Sequence, residues 1–119
     1  MKLYQYEKCQ TCRKAKKWLD EKNISYESIG IRETPPSQNE LTEMLKAHDG
    51  EAKKLFNTSS KDYRDPEVKE ALPNMTEKQK IKMLSERGNL VKRPFLIGKG
   101  LCLQGFKPDL WEAAFADTN

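Results

Sequence analysis

The sequence has no long apolar stretch, and no run approaches the roughly 18 apolar residues that a membrane-spanning helix requires. Its N-terminus, Met1-Lys2-Leu3-Tyr4, enters a strand-like pattern without the apolar region of a secretory signal. Hydrophobic residues make up 36% of the 119 residues and charged residues 34%, with a mean hydropathy of −0.89. We therefore expect one soluble domain with a modest core and no membrane contact.

Cysteine and histidine are scarce: the chain has Cys9, Cys12, Cys102 and the single histidine His48. An odd number of cysteines without a secretion signal is typical of working thiols in a reducing compartment, so we expect a cytoplasmic protein. A zinc site would need Cys102 and His48 in addition to the first two cysteines, and neither has a paired spacing. We therefore expect no metal.

Dense basic runs are also absent. The net charge is +4, and the lysines are spread along helical segments as a solvated surface requires. No basic run is dense enough to predict nucleic-acid binding by itself.

The stretch Cys9-Gln10-Thr11-Cys12 stands between a short strand pattern and an amphipathic helix predicted from Thr11 to about Lys22. A cysteine at a helix N-terminus faces unpaired backbone N–H groups and the positive end of the helix dipole, which favour the thiolate. Cysteines in such sites have pKa values of roughly 3.5–7.5 instead of about 8.5. The spacing therefore predicts a nucleophilic Cys9, assisted by the nearby charges of Arg13 and Lys14.

Cys12 follows Cys9 by one helical turn, close enough to attack an adduct formed at Cys9. We interpret Cys12 as the resolving thiol of a redox pair. A structural alternative remains open, because Cys12, Ala15 and Leu19 share one apolar stripe on which a cysteine can serve as a small buried side chain.

The order of predicted elements indicates the fold. A first strand at Leu3–Tyr6, the helix and a second strand at Ile24–Ile31 form a βαβ unit with parallel strands. Capping boxes at Ser37–Glu40 and Thr76–Gln79 start helices within an insert of about 34–88.

The C-terminal part returns to β-structure. We expect strand character from Asn89 to Ile97, a hairpin turn at Gly98–Gly100 and a strand at Leu101–Leu103. Pro108 then opens a helix with an apolar side formed by Leu110, Trp111, Ala114 and Phe115. A βαβ unit followed by ββα predicts an α/β thioredoxin-like fold with a mixed sheet and an all-helical insertion, in a single domain of residues 1–119.

The dipeptide Arg93-Pro94 precedes a predicted strand, where a proline costs a ladder hydrogen bond unless it caps the strand. In a thioredoxin-like fold, a cis-proline loop faces the reactive cysteine at this place. Arg93 would then be directed at the site, where its guanidinium could bind an oxyanion or stabilise the Cys9 thiolate. An exposed surface arginine is the alternative that the pattern leaves open.

These residues resemble the arsenate reductase (ArsC)/Spx family, specifically its small YusI-like branch. The active-site block is Lys8–Leu19, and four further blocks follow in the right order: Pro35-Pro36-Ser37, Leu55-Phe56-Asn57-Thr58-Ser59, Lys92-Arg93-Pro94 and Gly105-Phe106-Lys107. Essentially the whole chain is covered.

The resemblance implies that Cys9 is the family's nucleophilic cysteine and that Arg93 is its oxyanion-contacting arginine. In glutaredoxin-linked arsenate reductases an arseno-cysteine adduct forms and is then discharged by glutathione and glutaredoxin. This sequence differs at three places: Cys12 stands where serine is usual, Asn57 where a second arginine is expected, and Lys107 near the place of a third. Since lysine lacks the bidentate fork of arginine, arsenate is one candidate substrate among several.

Spx members of the family are transcriptional regulators that bind the C-terminal domain of the RNA polymerase α subunit, and a Cys9/Cys12 disulfide would resemble their redox switch. Asp49-Gly50 lies near the position of a glycine that matters for that contact. Lys46–Ala52 is not close to Spx, however, and Ser59 replaces an arginine expected there. A regulator of this kind is therefore the alternative function.

The sequence thus predicts a thiol–disulfide oxidoreductase with Cys9, Cys12, Arg13 and Arg93 as catalytic residues. The predicted substrate-binding residues are Thr11, Arg93, Pro94 and Lys107. The substrate is expected to be a small oxyanion or a protein disulfide. No bound cofactor is expected, because an external thiol reductant such as glutathione/glutaredoxin or thioredoxin would return the Cys9–Cys12 disulfide to thiols.

Overall fold

The computed structural model describes residues 1–116, which form a four-stranded sheet and six α-helices. The strands are β1 (Lys2–Gln5), β2 (Glu27–Gly30), β3 (Phe95–Gly98) and β4 (Leu101–Gln104). The helices are α1 (Gln10–Glu21), α2 (Gln38–Ala47), α3 (Lys61–Arg64), α4 (Pro66–Ala71), α5 (Glu77–Glu86) and α6 (Pro108–Ala116).

The sheet has the strand order β2-β1-β3-β4. β1 and β2 are parallel, with Tyr4 opposite Ile29, while β1–β3 and β3–β4 are antiparallel. The first two strands are parallel because α1 carries the chain back between them, and the last two are joined by the predicted hairpin. This βαβ and ββα mixed sheet, with helices α2–α5 inserted between β2 and β3, confirms the predicted thioredoxin-like fold.

The two faces of the sheet bury different residues, because side chains alternate along each strand. Leu3 and the paired Leu96 face α1 and α6, where Trp111 is almost fully buried. Tyr4 and the paired Phe95 face the inserted helices, and their rings make an edge contact with centroids 5.7 Å apart. Helix α1 and the insertion therefore lie on opposite faces of the sheet.

Both predicted capping boxes are present: the Ser37 hydroxyl accepts from the Glu40 N–H, and the Thr76 hydroxyl accepts from the Gln79 N–H. Glu40 also accepts a hydrogen bond of 2.6 Å from the Tyr4 hydroxyl, which attaches α2 to β1. Burial alone would raise the pKa of Glu40, but the hydrogen bonds from Tyr4 and Ser37 and the charge of Lys2 lower it overall.

Two boundaries and one helix face differ from the sequence-based predictions. The second strand is confined to Glu27–Gly30. The predicted strand character of residues 89–94 is wrong: Gly88–Leu90 forms a 3-10 turn and Val91 makes only an isolated bridge to Phe56. Gly88 lies so close to the Ile31 backbone that a Cβ there would be 1.8 Å from the Ile31 carbonyl oxygen, and Pro94 has no N–H to donate to a sheet.

The predicted apolar side of α6 is also partly wrong. Trp111 is buried, but Leu110 is 58% exposed. Consecutive helical residues project about 100° apart, so a short helix that buries Trp111 against the sheet turns Leu110 outward. Within residues 1–116, no helix is both long and apolar enough to cross a membrane.

Candidate active site

Cys9 occupies the N-cap of α1, as predicted. Its backbone is extended (φ −88°, ψ 118°), its carbonyl accepts from the Arg13 N–H at 3.1 Å, and its own N–H donates to the Tyr6 carbonyl at 3.0 Å. The side chain is half-buried and does not cap the helix itself. The thiol therefore lies beside the N–H groups of the first helical turn and can still be reached from solvent.

Cys12 is fully buried, its thiol is close enough to Cys9 for the two groups to interact, and the Tyr6 N–H contacts its sulfur at 3.5 Å. Burial raises the pKa of Cys12 to about 12, although the Tyr6 N–H and the charge of Arg93 act in the opposite direction. Cys12 thus shares the buried stripe of Ala15 and Leu19, as the structural alternative required, while its sulfur remains next to that of Cys9. Both thiols are free in this structure.

The Arg93-Pro94 peptide bond is cis, as predicted from the fold. The Arg93 guanidinium lies over the Tyr6 ring, with its carbon 4.9 Å from the ring centroid. Its Nη1 is buried and has no hydrogen-bond acceptor within residues 1–116. Since a buried charged donor without a partner is costly, this atom is positioned to receive an anionic acceptor from a ligand.

Four of the predicted site residues line one depression of about 420 Å³: Cys9, Thr11, Arg93 and Lys107. They come from the active-site turn, the cis-proline loop and the segment before α6. The depression therefore holds the Cys9 thiol together with the Arg93 guanidinium and the Lys107 ammonium group. The arrangement is chemically suited to attack on an oxidised, anionic centre.

The other predicted residues lie outside this depression. Cys12 and Pro94 are buried behind its wall. Arg13 is exposed, and its Nε donates to the Glu7 carbonyl at 2.7 Å, which holds the turn before Cys9. A catalytic role for Arg13 stays a prediction, whereas a contribution to the shape of the turn follows from its hydrogen bond.

Gln104 was missed by the sequence analysis. Its Nε2 donates to the carbonyls of Lys92 (2.8 Å) and Leu55 (3.1 Å), and its Oε1 lies 2.9 Å from His48 Nε2. Two carbonyl partners fix the amide orientation, so His48 donates through Nε2. Gln104 thereby ties the cis-proline loop to the insertion and to the end of α2. A lone glutamine after a hairpin strand gives no sequence signal for this role.

The third cysteine is separate from the site. Cys102 on β4 is half-buried and packs against the core cluster that includes the inserted helices. Burial raises the pKa of its thiol, and the nearby charge of Glu43 adds to this effect. Among residues 1–116, no three histidine, cysteine, aspartate or glutamate side chains are grouped closely enough to hold a metal ion.

Comparisons with known proteins agree with this geometry. The model described as the ArsC family matches residues 4–114. The chain is 41% identical to the uncharacterised protein YusI of Bacillus subtilis (strain 168), over 96% of this chain and 97% of YusI. Its structure is similar to that of a possible arsenate reductase from Streptococcus mutans UA159, with a TM-score of 0.81, 34% identity, and coverage of 98% and 94% of the two chains.

A regulator is a more distant relative. The chain is 28% identical to the global transcriptional regulator Spx of Listeria innocua, over 90% of this chain and 80% of the regulator.

Proposed function

This chain belongs to the ArsC family, and we propose that it is a thiol–disulfide oxidoreductase in which Cys9 is the nucleophile and Cys12 the resolving thiol. The observation that carries the proposal is the pair of neighbouring thiols at the start of α1, with Cys9 half-buried at the N-cap and Cys12 fully buried one turn on. An accessible sulfur can meet a substrate, and a buried sulfur beside it can react only with what the first has bound.

The exchange with a disulfide substrate has two steps. The Cys9 thiolate attacks one substrate sulfur, the substrate S–S bond breaks, and the other substrate sulfur leaves as a thiolate that takes up a proton. The Cys12 thiol then loses its proton and attacks the Cys9 sulfur, which forms the Cys9–Cys12 disulfide and releases the second substrate thiol. The substrate gains two electrons, and an external dithiol or two monothiols return them to the protein.

Cys12 becomes a nucleophile only after Cys9 has reacted. In the resting site the proton is held on Cys12 by burial, which raises its pKa to about 12. A leaving thiolate in the second step is an immediate acceptor for that proton. Burial therefore keeps Cys12 protonated until the mixed disulfide has formed at Cys9, and Cys12 can then attack the Cys9 sulfur.

Arg93 has a binding role in this proposal. Its orphan Nη1 would donate to an oxyanion or to a developing thiolate opposite Cys9. Asn57 and Ser59 provide neutral polar groups on the same wall, and Lys107 provides an ammonium group. Because Arg93 is the one arginine among residues 1–116 that lines this depression and lysine lacks its planar fork, the site suits an oxidised sulfur at least as well as a multiply charged oxyanion such as arsenate.

The test is a parallel assay of arsenate reduction and of disulfide reduction, each with the glutathione–glutaredoxin and thioredoxin systems as reductant. We expect turnover in the native protein with at least one pair and a Cys9–Cys12 disulfide by mass spectrometry after exposure to the substrate alone. No turnover with any pair, or a disulfide that leaves Cys9 unoxidised, would contradict the proposal.

The alternative is a redox-sensing regulator, which the similarity to Spx favours. A pull-down with the C-terminal domain of the RNA polymerase α subunit distinguishes the two functions. A regulator would bind that domain in a manner that depends on the Cys9–Cys12 oxidation state, whereas the proposed enzyme would turn over without it.

A further inference from the structure

A second depression, of about 500 Å³, adjoins the one that contains Cys9, and the two share Asn57, Ser59 and Lys92. The surface therefore continues from Cys9 past Lys92 to Lys53 and Lys54 at the edge of the insertion. We call this continuous surface the basic groove. Each part alone has the volume of a site for a small organic ligand, about 300–1,000 Å³. The basic groove is thus much larger than an oxyanion requires.

The charge of the basic groove is strongly one-sided. Its cations are Lys53, Lys54, Lys92, Arg93 and Lys107, and its carboxylate is Glu51. Glu51 is already paired with Lys54 at 3.2 Å. The ion pairs found within residues 1–116 do not involve the other four cations, so the groove keeps a positive potential along its length.

We propose that the basic groove binds an acidic segment of a polypeptide whose oxidised cysteine reacts at Cys9. This inference rests on the proposed function and specifies its substrate class. The oxidised sulfur would lie between Cys9 and Arg93, and carboxylates of neighbouring residues would pair with Lys92 and then with Lys53 and Lys54. The chemistry is the two-step exchange already described, with a disulfide of the polypeptide as the oxidant and an external thiol as the final reductant.

The lining of the groove favours a polypeptide over a single-stranded nucleic acid, although both are anionic. Nucleic-acid grooves combine cations with exposed aromatic rings on which the bases stack. The aromatic residues here are Phe56, which is 4% exposed, and Phe106, which packs on Trp111 with ring centroids 4.9 Å apart. The remaining wall, Asn57–Ser59, offers hydroxyl and amide groups suited to a peptide backbone.

The test compares three disulfide substrates of the native protein. Two are mixed disulfides of 2-mercaptoethanol with a cysteine peptide, one peptide flanked by glutamates and the other by glutamines, and the third is neutral hydroxyethyl disulfide. We expect kcat/KM for the acidic peptide to exceed that for the glutamine peptide about tenfold at low salt. The preference should disappear at about 0.5 M salt, because screening removes attraction between exposed charges.

Two charge-reversed variants test whether the preference for the acidic peptide comes from the basic groove or from the net charge of the protein. Lys53→Glu/Lys54→Glu should abolish or invert the preference for the acidic peptide. Lys78→Glu/Lys82→Glu changes the net charge equally on the exposed side of α5 and should leave the preference intact.

The failures are distinguishable. Turnover of all three disulfides without a preference would overturn the groove proposal and leave the proposed function standing, whereas no turnover of any of the three would overturn both. Equal loss of preference in the two variants would assign it to net charge and contradict the groove. Inhibition by a single-stranded oligonucleotide at concentrations below those of a cysteine-free acidic peptide would also contradict it.

Discussion

The two walls of the candidate site are built in different ways. The sulfur wall consists of Cys9, Cys12 and the first turn of α1, and it comes from one continuous segment behind β1. The cation wall consists of Lys92, Arg93 and the polar stretch Asn57–Ser59, which come from segments far apart in the chain. The sulfur wall therefore needs local structure, and the cation wall needs tertiary contacts.

Hydrogen bonds between loops hold the cation wall together. The Asn57 N–H donates to the Leu90 carbonyl at 2.7 Å, and the Lys92 N–H donates to the Leu55 carbonyl at 2.9 Å. Gln104 adds its two bonds to the same carbonyl of Leu55 and to that of Lys92. By contrast, α1 is held by side-chain packing, including an edge contact of Trp18 and Trp111 with ring centroids 5.9 Å apart. Changes to the sulfur wall should thus abolish the reaction, and changes to the cation wall should weaken it by degrees.

The largest effect should come from Cys9→Ser, which removes the nucleophile. We expect turnover to fall to the background rate, because a serine hydroxyl cannot form the mixed disulfide. Cys102→Ser is the matched control, since Cys102 lies outside the depression and should leave turnover unchanged. Turnover above background in Cys9→Ser would show that a residue other than Cys9 is the nucleophile.

Cys12→Ser should separate the two steps. The first step needs only Cys9, so we expect a stoichiometric mixed disulfide at Cys9, detected by intact mass, and a loss of sustained turnover. Sustained turnover in this variant would show that Cys12 is not the resolving thiol and serves only as a small buried side chain of α1.

Cys12 should also resist alkylation across the ordinary pH range. In Cys9→Ser, we expect iodoacetamide to leave Cys12 unmodified at pH 8 and to modify it after unfolding, because burial raises its pKa to about 12. The neutral Cys12 thiol contributes its full share to the free energy of unfolding below the unfolded pKa of about 8.5. This contribution is lost as the pH rises towards the folded pKa of about 12. Rapid labelling of the folded variant at pH 8 would contradict the buried position.

Arg93→Met should reduce kcat/KM by about tenfold to a hundredfold, the equivalent of a hydrogen bond to a charged group worth about 1.5–3 kcal/mol. Arg93→Lys keeps the charge but loses the planar fork, so it should recover part of the loss. Equal rates for both variants and the native protein would remove Arg93 from the binding machinery.

Gln104→Leu should loosen the cation wall without touching the sulfurs. We expect a rise in KM greater than the fall in kcat and a loss of about 1–3 kcal/mol in the free energy of unfolding, because two hydrogen bonds between loops, each worth about 0.5–1.5 kcal/mol, are removed. A double-mutant cycle with His48→Ala measures the share carried by the His48 bond. A fall in kcat alone would indicate a different role.

The smallest effect on the reaction should come from Tyr4→Phe, which removes the bond between β1 and α2. We expect a loss of about 1–2 kcal/mol in the free energy of unfolding at pH 7, where Glu40 is ionised. Because the pKa of Glu40 is lowered on folding, its stabilisation exists above the unfolded value of about 4.3 and is lost as the pH falls through the folded value. The difference between variant and native protein should therefore narrow in acid, as measured by urea unfolding.

Local signals predicted much of the fold and the sulfur wall. The capping boxes at Ser37 and Thr76 start helices because serine or threonine followed three residues later by glutamate or glutamine satisfies helix N–H groups wherever it occurs. Cys9 lies at a helix start for an equally local reason. The outward Leu110 and the turn at Gly88 were not predictable, since each depends on what another segment places beside it.

The sequence by itself determined that two cysteines lie one turn apart at the beginning of a helix, because helix initiation and spacing are short-range properties. Only the tertiary structure decided that one sulfur is buried and the other accessible, and that Arg93 Nη1 has no acceptor among residues 1–116. It also decided that Gln104 joins the two loops opposite the sulfurs. These features depend on burial and on hydrogen bonds between distant segments, which no local pattern encodes.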